Sequence, residues 1–283
     1  MSEERKCSET SCDGNCAGCS KAGEHAAPPK SPLNEFSKVK RVIGVVSGKG
    51  GVGKSLVTAM LAVEMSRKGY KTAILDADIT GPSIPKMFGI HDRALANDKG
   101  ILPAVTAGGI KIMSVNLLLE DEEAPVVWRG TVIAGAVTQF WTDVYRDEID
   151  YMFVDMPPGT GDVPLTVFQS LPVDGIVIVT SPQELVSLIV KKAYNMAEAM
   201  NVPVLGIVEN MAYVRCPDCG AEFRIFGEGK TETVADELFV KLLAQIPIDV
   251  SLAAAADAGK FEFINAEYME AASESLEEVL KDK

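Results

Sequence analysis

The chain has 283 residues, 47% of them hydrophobic and 24% charged, which is enough to bury a sizeable core in one large α/β domain or two small ones and excludes a disordered protein. Lys and Arg number 27 against 40 Asp and Glu, and the resulting charge of −13 repels a phosphate backbone, so no nucleic-acid partner is expected. Residues 1–20 are polar and carry four cysteines where a signal peptide needs an apolar run, and the longest apolar stretch, 56–65, is half a membrane span and contains Glu64, so a cytoplasmic protein with no membrane partner is expected.

Residues 1–40 read as a cysteine-containing tail and linker, with Pro28, Pro29 and Pro32 and few large apolar groups. Six basic and six acidic residues cancel there, so the whole negative charge belongs to 41–283. From Arg41 onward, short β-branched runs alternate with helical spacing. Strands are expected at 42–46, 72–75, 110–115, 151–154, 176–179, 204–208 and 242–246. Helices are expected at 55–68, 131–142, 163–171, 182–200 and 231–239, and again at 266–283 with Asn265 as its cap. Several strands are apolar at every residue, as parallel strands covered on both faces are. Repeated β-α units predict an α/β fold with a doubly wound, mostly parallel sheet and ligands at the carboxyl ends of its strands. The last segment holds six acidic residues and two lysines, so it lacks the basic face that binds anionic lipid.

The first strand runs into Gly48-Lys49-Gly50-Gly51-Val52-Gly53-Lys54-Ser55 and then a helix, the strand-loop-helix context of a phosphate-binding P-loop. Its glycines let main-chain N–H groups turn inward around a β-phosphate, and the helix N-terminus adds a favourable dipole. Lys54 would reach the β- and γ-phosphates and Ser55 would ligate Mg²⁺. The carboxylate that Mg²⁺ also needs is expected from Asp155, directly after the apolar run 151–154, and the turn Gly159-Thr160-Gly161-Asp162 behind it could move with the γ-phosphate. Asp76 and Asp78 are the other carboxylates at this edge; a strand-end aspartate also serves as a loop or capping residue, a weaker reading beside a P-loop.

Two thiolates in Cys216-Pro-Asp-Cys219 complete neither a tetrahedral zinc site nor a four-iron cluster, so a second pair is needed. The same loop of a symmetry mate would supply it across a twofold axis; half a zinc ribbon reads equally well from the chemistry alone. In the tail, Cys7, Cys12, Cys16 and Cys19 suffice for one site within one chain, open to an iron-sulfur cluster, to zinc or to unligated redox-active thiols. His25 is the nearest substitute ligand there.

Lys49 makes the glycine loop resemble the deviant Walker A motif of the MinD/ParA/nitrogenase-iron-protein class of P-loop NTPases. That resemblance implies a homodimer in which Lys49 reaches the partner's nucleotide. The segments 76–85, Trp128-Arg129-Gly130, 155–162 and Cys216-Pro-Asp-Cys219 resemble, more narrowly, the Mrp/ApbC family of iron-sulfur cluster carrier ATPases over about 36–270. The resemblance implies that Asp76 and Asp78 belong to a switch in which one polarises the attacking water, and that Asp155 opens a second switch near Mg²⁺. It further implies that Asn210 contacts adenine with Pro247 beside it, although Asn210 also reads as a strand-terminating turn residue. It carries no mechanism for Trp128-Arg129-Gly130, which reads as a turn into a helix with a packed indole. Some family members also have four N-terminal cysteines, with a long first gap that this compact spacing lacks.

The implied function is an ATPase, with ATP, Mg²⁺ and a [4Fe-4S] cluster bridging a homodimer through Cys216 and Cys219, that hands the cluster to apoproteins. A DNA- or membrane-binding organiser of the ParA/MinD type is opposed by the acidic body, the acidic last helix and the cysteine pair. A reductase like the nitrogenase iron protein would supply two widely separated single cysteines instead of a CxxC. A zinc-stabilised NTPase is the remaining reading.

Overall fold

The computed structural model describes residues 30–78, 81, 83–119, 130–182, 186–227, 229–265 and 267–281. The chain opens with β1 (Lys38–Ser47), α1 (Lys54–Arg67), β2 (Thr72–Asp76), α2 (Ile84–Met87), β3 (Ala96–Asn97), β4 (Gly100–Ile101), β5 (Ala104–Val105) and β6 (Lys111–Met113). It continues with α3 (Gly130–Thr142), β7 (Glu148–Asp155), α4 (Asp162–Ser170), β8 (Gly175–Thr180), α5 (Val186–Ala199) and β9 (Val204–Asn210). The last elements are β10 (Val214–Arg215), β11 (Glu222–Phe223), α6 (Thr231–Glu237), β12 (Leu242–Ile246), α7 (Val250–Asp257) and α8 (Glu270–Leu280).

Eight strands form one sheet in the order β12-β9-β8-β1-β7-β2-β6-β5, and within it only the β5–β6 pairing is antiparallel. Alternation along the strands divides the core in two. Ile43, Val45 and Phe153 pack on the face covered by α1, α7 and α8, while Val42, Val46 and Val154 pack on the face covered by α3, α4 and α5. Because both faces are covered, β8 is buried at all of its residues, as its uninterrupted apolar run predicts. Helix α1 is buried on nearly every side, and Thr58, Ala59 and Ala62 let it lie close against the sheet.

Several boundaries differ from the sequence reading. The strand expected at 110–115 is β6 alone, followed by a 3-10 turn at Val115–Leu118. β9 runs on through Asn210, so that residue lies within the strand and not in a turn behind it. Met269, not Asn265, caps α8; Asn265 donates to Glu267 Oε1 at 2.7 Å. α2, α7 and the two-residue strands carried too little periodicity to be read. The boundary drawn at residue 40 falls inside β1, and the chain before it is tied to the body: Ser31 N–H donates to Ser170 O at 2.8 Å and Trp141 Nε1 to Ser31 O at 3.0 Å. Its scarcity of apolar groups hid this attachment, which is made through hydrogen bonds.

Candidate nucleotide site and CxxC hairpin

β1 ends at the sheet centre and hands the chain to the glycine loop. Gly53 takes the left-handed conformation (φ 83°) just before α1, and a Cβ there would stand 2.1 Å from Asn210 Nδ2. Gly48 packs as tightly against Ile189 of α5, whereas Gly50 and Gly51 face open space on the side where a Cβ would project. The loop is therefore clamped at its first and last glycines and open between them.

Parallel register sets Asp76 of β2 beside Asp155 of β7. Lys54 Nζ lies 2.6 Å from Asp155 Oδ1 and 3.6 Å from Asp78 Oδ2. Ser55 Oγ donates to Asp155 Oδ2 at 2.5 Å, and Thr58 Oγ1 to Asp155 Oδ1 at 3.0 Å. Burial raises the Asp155 pKa, and the Lys54 charge and the bonds from Lys54, Ser55 and Thr58 pull it back. Asp76 is fully buried; burial first and the Asp155 charge second push its carboxyl well above the usual range. Its Oδ2 accepts from Ser114 Oγ at 3.1 Å and its Oδ1 from the Asp78 N–H at 3.2 Å, so Asp76 fixes the backbone that carries Asp78.

Ser55 and Asp155 present adjoining hydroxyl and carboxylate oxygens, a hard donor set that fits Mg²⁺, which takes one or two protein ligands and completes its shell with waters and phosphate oxygens. Lys49 is half-buried in the loop. Asn210 Nδ2 donates to Val52 O at 3.0 Å, and Pro247 is buried just beyond Ile246, the residue that pairs with Asn210. Thr58 and Ser114 were not singled out from the sequence. Thr58 lies one helical turn from Lys54 on the same face of α1, a spacing that could have found it; nothing in the sequence marks Ser114.

Cys216 and Cys219 are free thiols in the antiparallel hairpin formed by β10 and β11. The loop closes on itself, with Cys216 N–H donating to Ala221 O and Gly220 N–H to Cys216 O, both at 2.9 Å. Residues 217–227 are all exposed, Phe223, Ile225 and Phe226 included. Hydrogen bonds from the Cys219 and Asp218 backbone, then from the Cys219 thiol, hold the Cys216 thiol below its usual range. Among the described residues no three His, Cys, Asp or Glu side chains gather into a metal-binding group, and those residues bring two sulfurs to the hairpin. Cys7, Cys12, Cys16, Cys19, His25, Trp128 and Arg129 lie outside the described residues.

A glycine loop between β1 and α1, with its lysine and serine meeting a carboxylate of the adjacent strand in a doubly wound parallel sheet, defines a P-loop NTPase. The fold is that of the cell division ATPase MinD from Pyrococcus furiosus, which is 21% identical, covers 84% of this chain and 99% of its own, and superposes with a TM-score of 0.65. The chain belongs to the NUBPL iron-transfer P-loop NTPase family, whose model matches residues 38–282. It is 45% identical to the iron-sulfur cluster carrier protein of Clostridium perfringens over 91% of this chain and 90% of that one. It is equally identical to the carrier of Methanocaldococcus jannaschii, over 88% and 89%. A nucleotide-binding protein from Archaeoglobus fulgidus, solved in complex with ADP, is 45% identical with a TM-score of 0.75, covering 82% of this chain and 91% of its own.

Proposed function

We propose that the chain is a cytoplasmic ATPase that carries a [4Fe-4S] cluster on Cys216 and Cys219 of two copies and delivers it to apoproteins. The observation that carries the reading is the placement of two sites at one edge of the sheet: Lys54 and Ser55 converge on Asp155, and the next strand end but one leads to a pair of free thiols, Cys219 exposed and Cys216 half-buried. The ADP complex of the Archaeoglobus fulgidus relative supports nucleotide in the loop, and the carrier names of the relatives support the cargo. Free thiols in such number suit a reducing compartment.

In this reading the N–H groups of residues 48–54 hold the β-phosphate, and Lys54 exchanges a carboxylate oxygen for phosphate oxygens. Ser55 and Asp155 would hold Mg²⁺, which when bound would supply neutralising charge to the phosphates. Asp78, at the open side of Lys54, is the better placed of the two switch aspartates to orient water, while buried Asp76 supports it. Lys49 acts on the partner's nucleotide, and Asn210 with Pro247 borders the base. The tail cysteines form a separate site. A charge of −13 suits neither a nucleic-acid nor an anionic membrane partner.

The test is anaerobic reconstitution of the full chain with Cys7, Cys12, Cys16 and Cys19 replaced by serine, followed by iron, sulfide and zinc analysis and an ATPase assay. About four irons per dimer are expected, lost in Cys216→Ser or Cys219→Ser while nucleotide binding persists. Tightly bound zinc with no iron uptake would sink the carrier reading in favour of a zinc-stabilised NTPase.

A further inference from the structure

Glu209 and Asn210 are consecutive residues at the end of β9 and face opposite sides of the sheet. Asn210 turns to the glycine loop, where its amide holds Val52 O, and its Oδ1 accepts the N–H of Met211 at 2.9 Å. Glu209 is fully buried on the other side. Its Oε2 accepts from Gln245 Nε2 of β12 at 2.6 Å, and its Oε1 accepts from the hydroxyl of Thr231, the first residue of α6. A Cβ on Gly229 would stand 2.8 Å from the same Oε1, so the chain approaches this carboxylate closely as it returns to the body.

Residues 211–230, which contain the CxxC hairpin, thus leave the body beside Asn210 and return at Glu209. Met211 adopts a left-handed conformation (φ 59°) unusual for its side chain. The outgoing arm is stitched to the end of β12 by Ala212 N–H to Ile246 O at 2.9 Å and Ile248 N–H to Tyr213 O at 2.7 Å. With the returning arm clasped as well, the hairpin is tied at both ends to β9 and β12. Without the clasp it is held on one side alone.

We propose that Glu209 is a positioning residue that locks the CxxC hairpin to the strand end touching the nucleotide loop, so that nucleotide occupancy is felt at Cys216 and Cys219. One buried side chain thus ties the end of β9 both to the returning arm and to β12, and removing it would leave the Thr231 and Gln245 groups without their partner. The inference rests on the reading of the two sites given above. A chain of contacts is not in itself coupling, so the coupling has to be measured.

The experiment uses the reduced, cluster-free full chain. Iodoacetamide alkylation rates at Cys216 and Cys219 are followed by peptide mass spectrometry under anaerobic conditions, with and without Mg-ADP or a non-hydrolysable ATP analogue, and nucleotide affinity is measured by calorimetry in parallel. In the parent, nucleotide is expected to change the alkylation rate about fivefold or more, the low end of ordinary coupling between sites. Glu209→Ala and the milder Thr231→Val are expected to bind nucleotide with the parent affinity and to lose that response. A Thr231→Val chain that keeps the full response overturns the proposal, even if Glu209→Ala fails to fold. A parent that binds nucleotide yet shows no response overturns it too, leaving the nucleotide site standing. A parent that binds no nucleotide overturns the reading of the P-loop and this inference with it.

Discussion

Asp76 holds a carboxyl with no exposure to solvent directly beside a second buried carboxylate, and the cost of ionising it is what raises its pKa. A carboxyl whose folded pKa lies above its unfolded value of about 3.8 contributes stability that is complete below that value and is lost as pH rises through the folded one. Asp76→Asn keeps the shape and cannot ionise. It is therefore expected to melt above the parent near pH 8, with the gain shrinking toward pH 4; thermal melts across that range decide, and a difference independent of pH would refute the shifted carboxyl. Lys54 is the counter-charge of this group. Removing it in Lys54→Ala should lower the rate of ATP hydrolysis by about 10²-fold or more, comparable to losing a preorganised charge partner, and steady-state turnover with saturating Mg-ATP would measure it.

The glycine loop works as an element because its two ends are fixed by neighbours from distant parts of the chain. Gly53→Ala would have to hold a side chain at φ 83° against the Asn210 amide, a strain of about 1–3 kcal/mol, and is expected both to destabilise the fold in urea titrations and to weaken ATP binding. Helix α3 depends on a different device. Arg146, 2% exposed, donates from its guanidinium to Phe140 O near the last turn of the helix and to Val144 O at 3.1 Å, and burial lowers its pKa to about 9. Arginine remains charged at neutral pH, so the side chain acts as a buried cation at a helix C-terminus. Arg146→Ala would leave those carbonyls buried without a donor and should cost about 2–4 kcal/mol in chemical denaturation. A loss below 1 kcal/mol, about the value of one ordinary hydrogen bond, would show that water replaces the guanidinium.

Two copies are needed for both sites in the proposed function, one for the sulfur count and one for Lys49. Lys49→Ala and Lys54→Ala chains, each inactive alone, are expected to recover ATPase activity when mixed, because the chain with an intact Lys54 then meets a partner with an intact Lys49. No recovery in mixed dimers verified by native mass spectrometry would argue that Lys49 acts within its own chain. The charge of −13 spread over the body opposes this association at low salt. The hairpin segment 214–230 carries three basic and three acidic residues, so in the proposed dimer its neutral, aromatic surface would bring two copies together with least repulsion.

What the sequence determined by itself was local. The glycine loop is contiguous, so its strand, turn, lysine, serine and helix could be read together, and uninterrupted apolar runs announced a parallel sheet covered on both faces. Cys216 and Cys219 were legible for the same reason, as neighbours in one loop. The tertiary structure alone decided which distant groups complete these motifs. Asp76 and Asp155 meet through the register of β2 and β7, Ser114 reaches Asp76 from the end of β6, and Glu209, Thr231 and Gln245 converge from three separate elements. No spacing rule relates such residues, because the order of strands in a doubly wound sheet differs from their order in the chain, and side chains become neighbours across it only when the core sets the register.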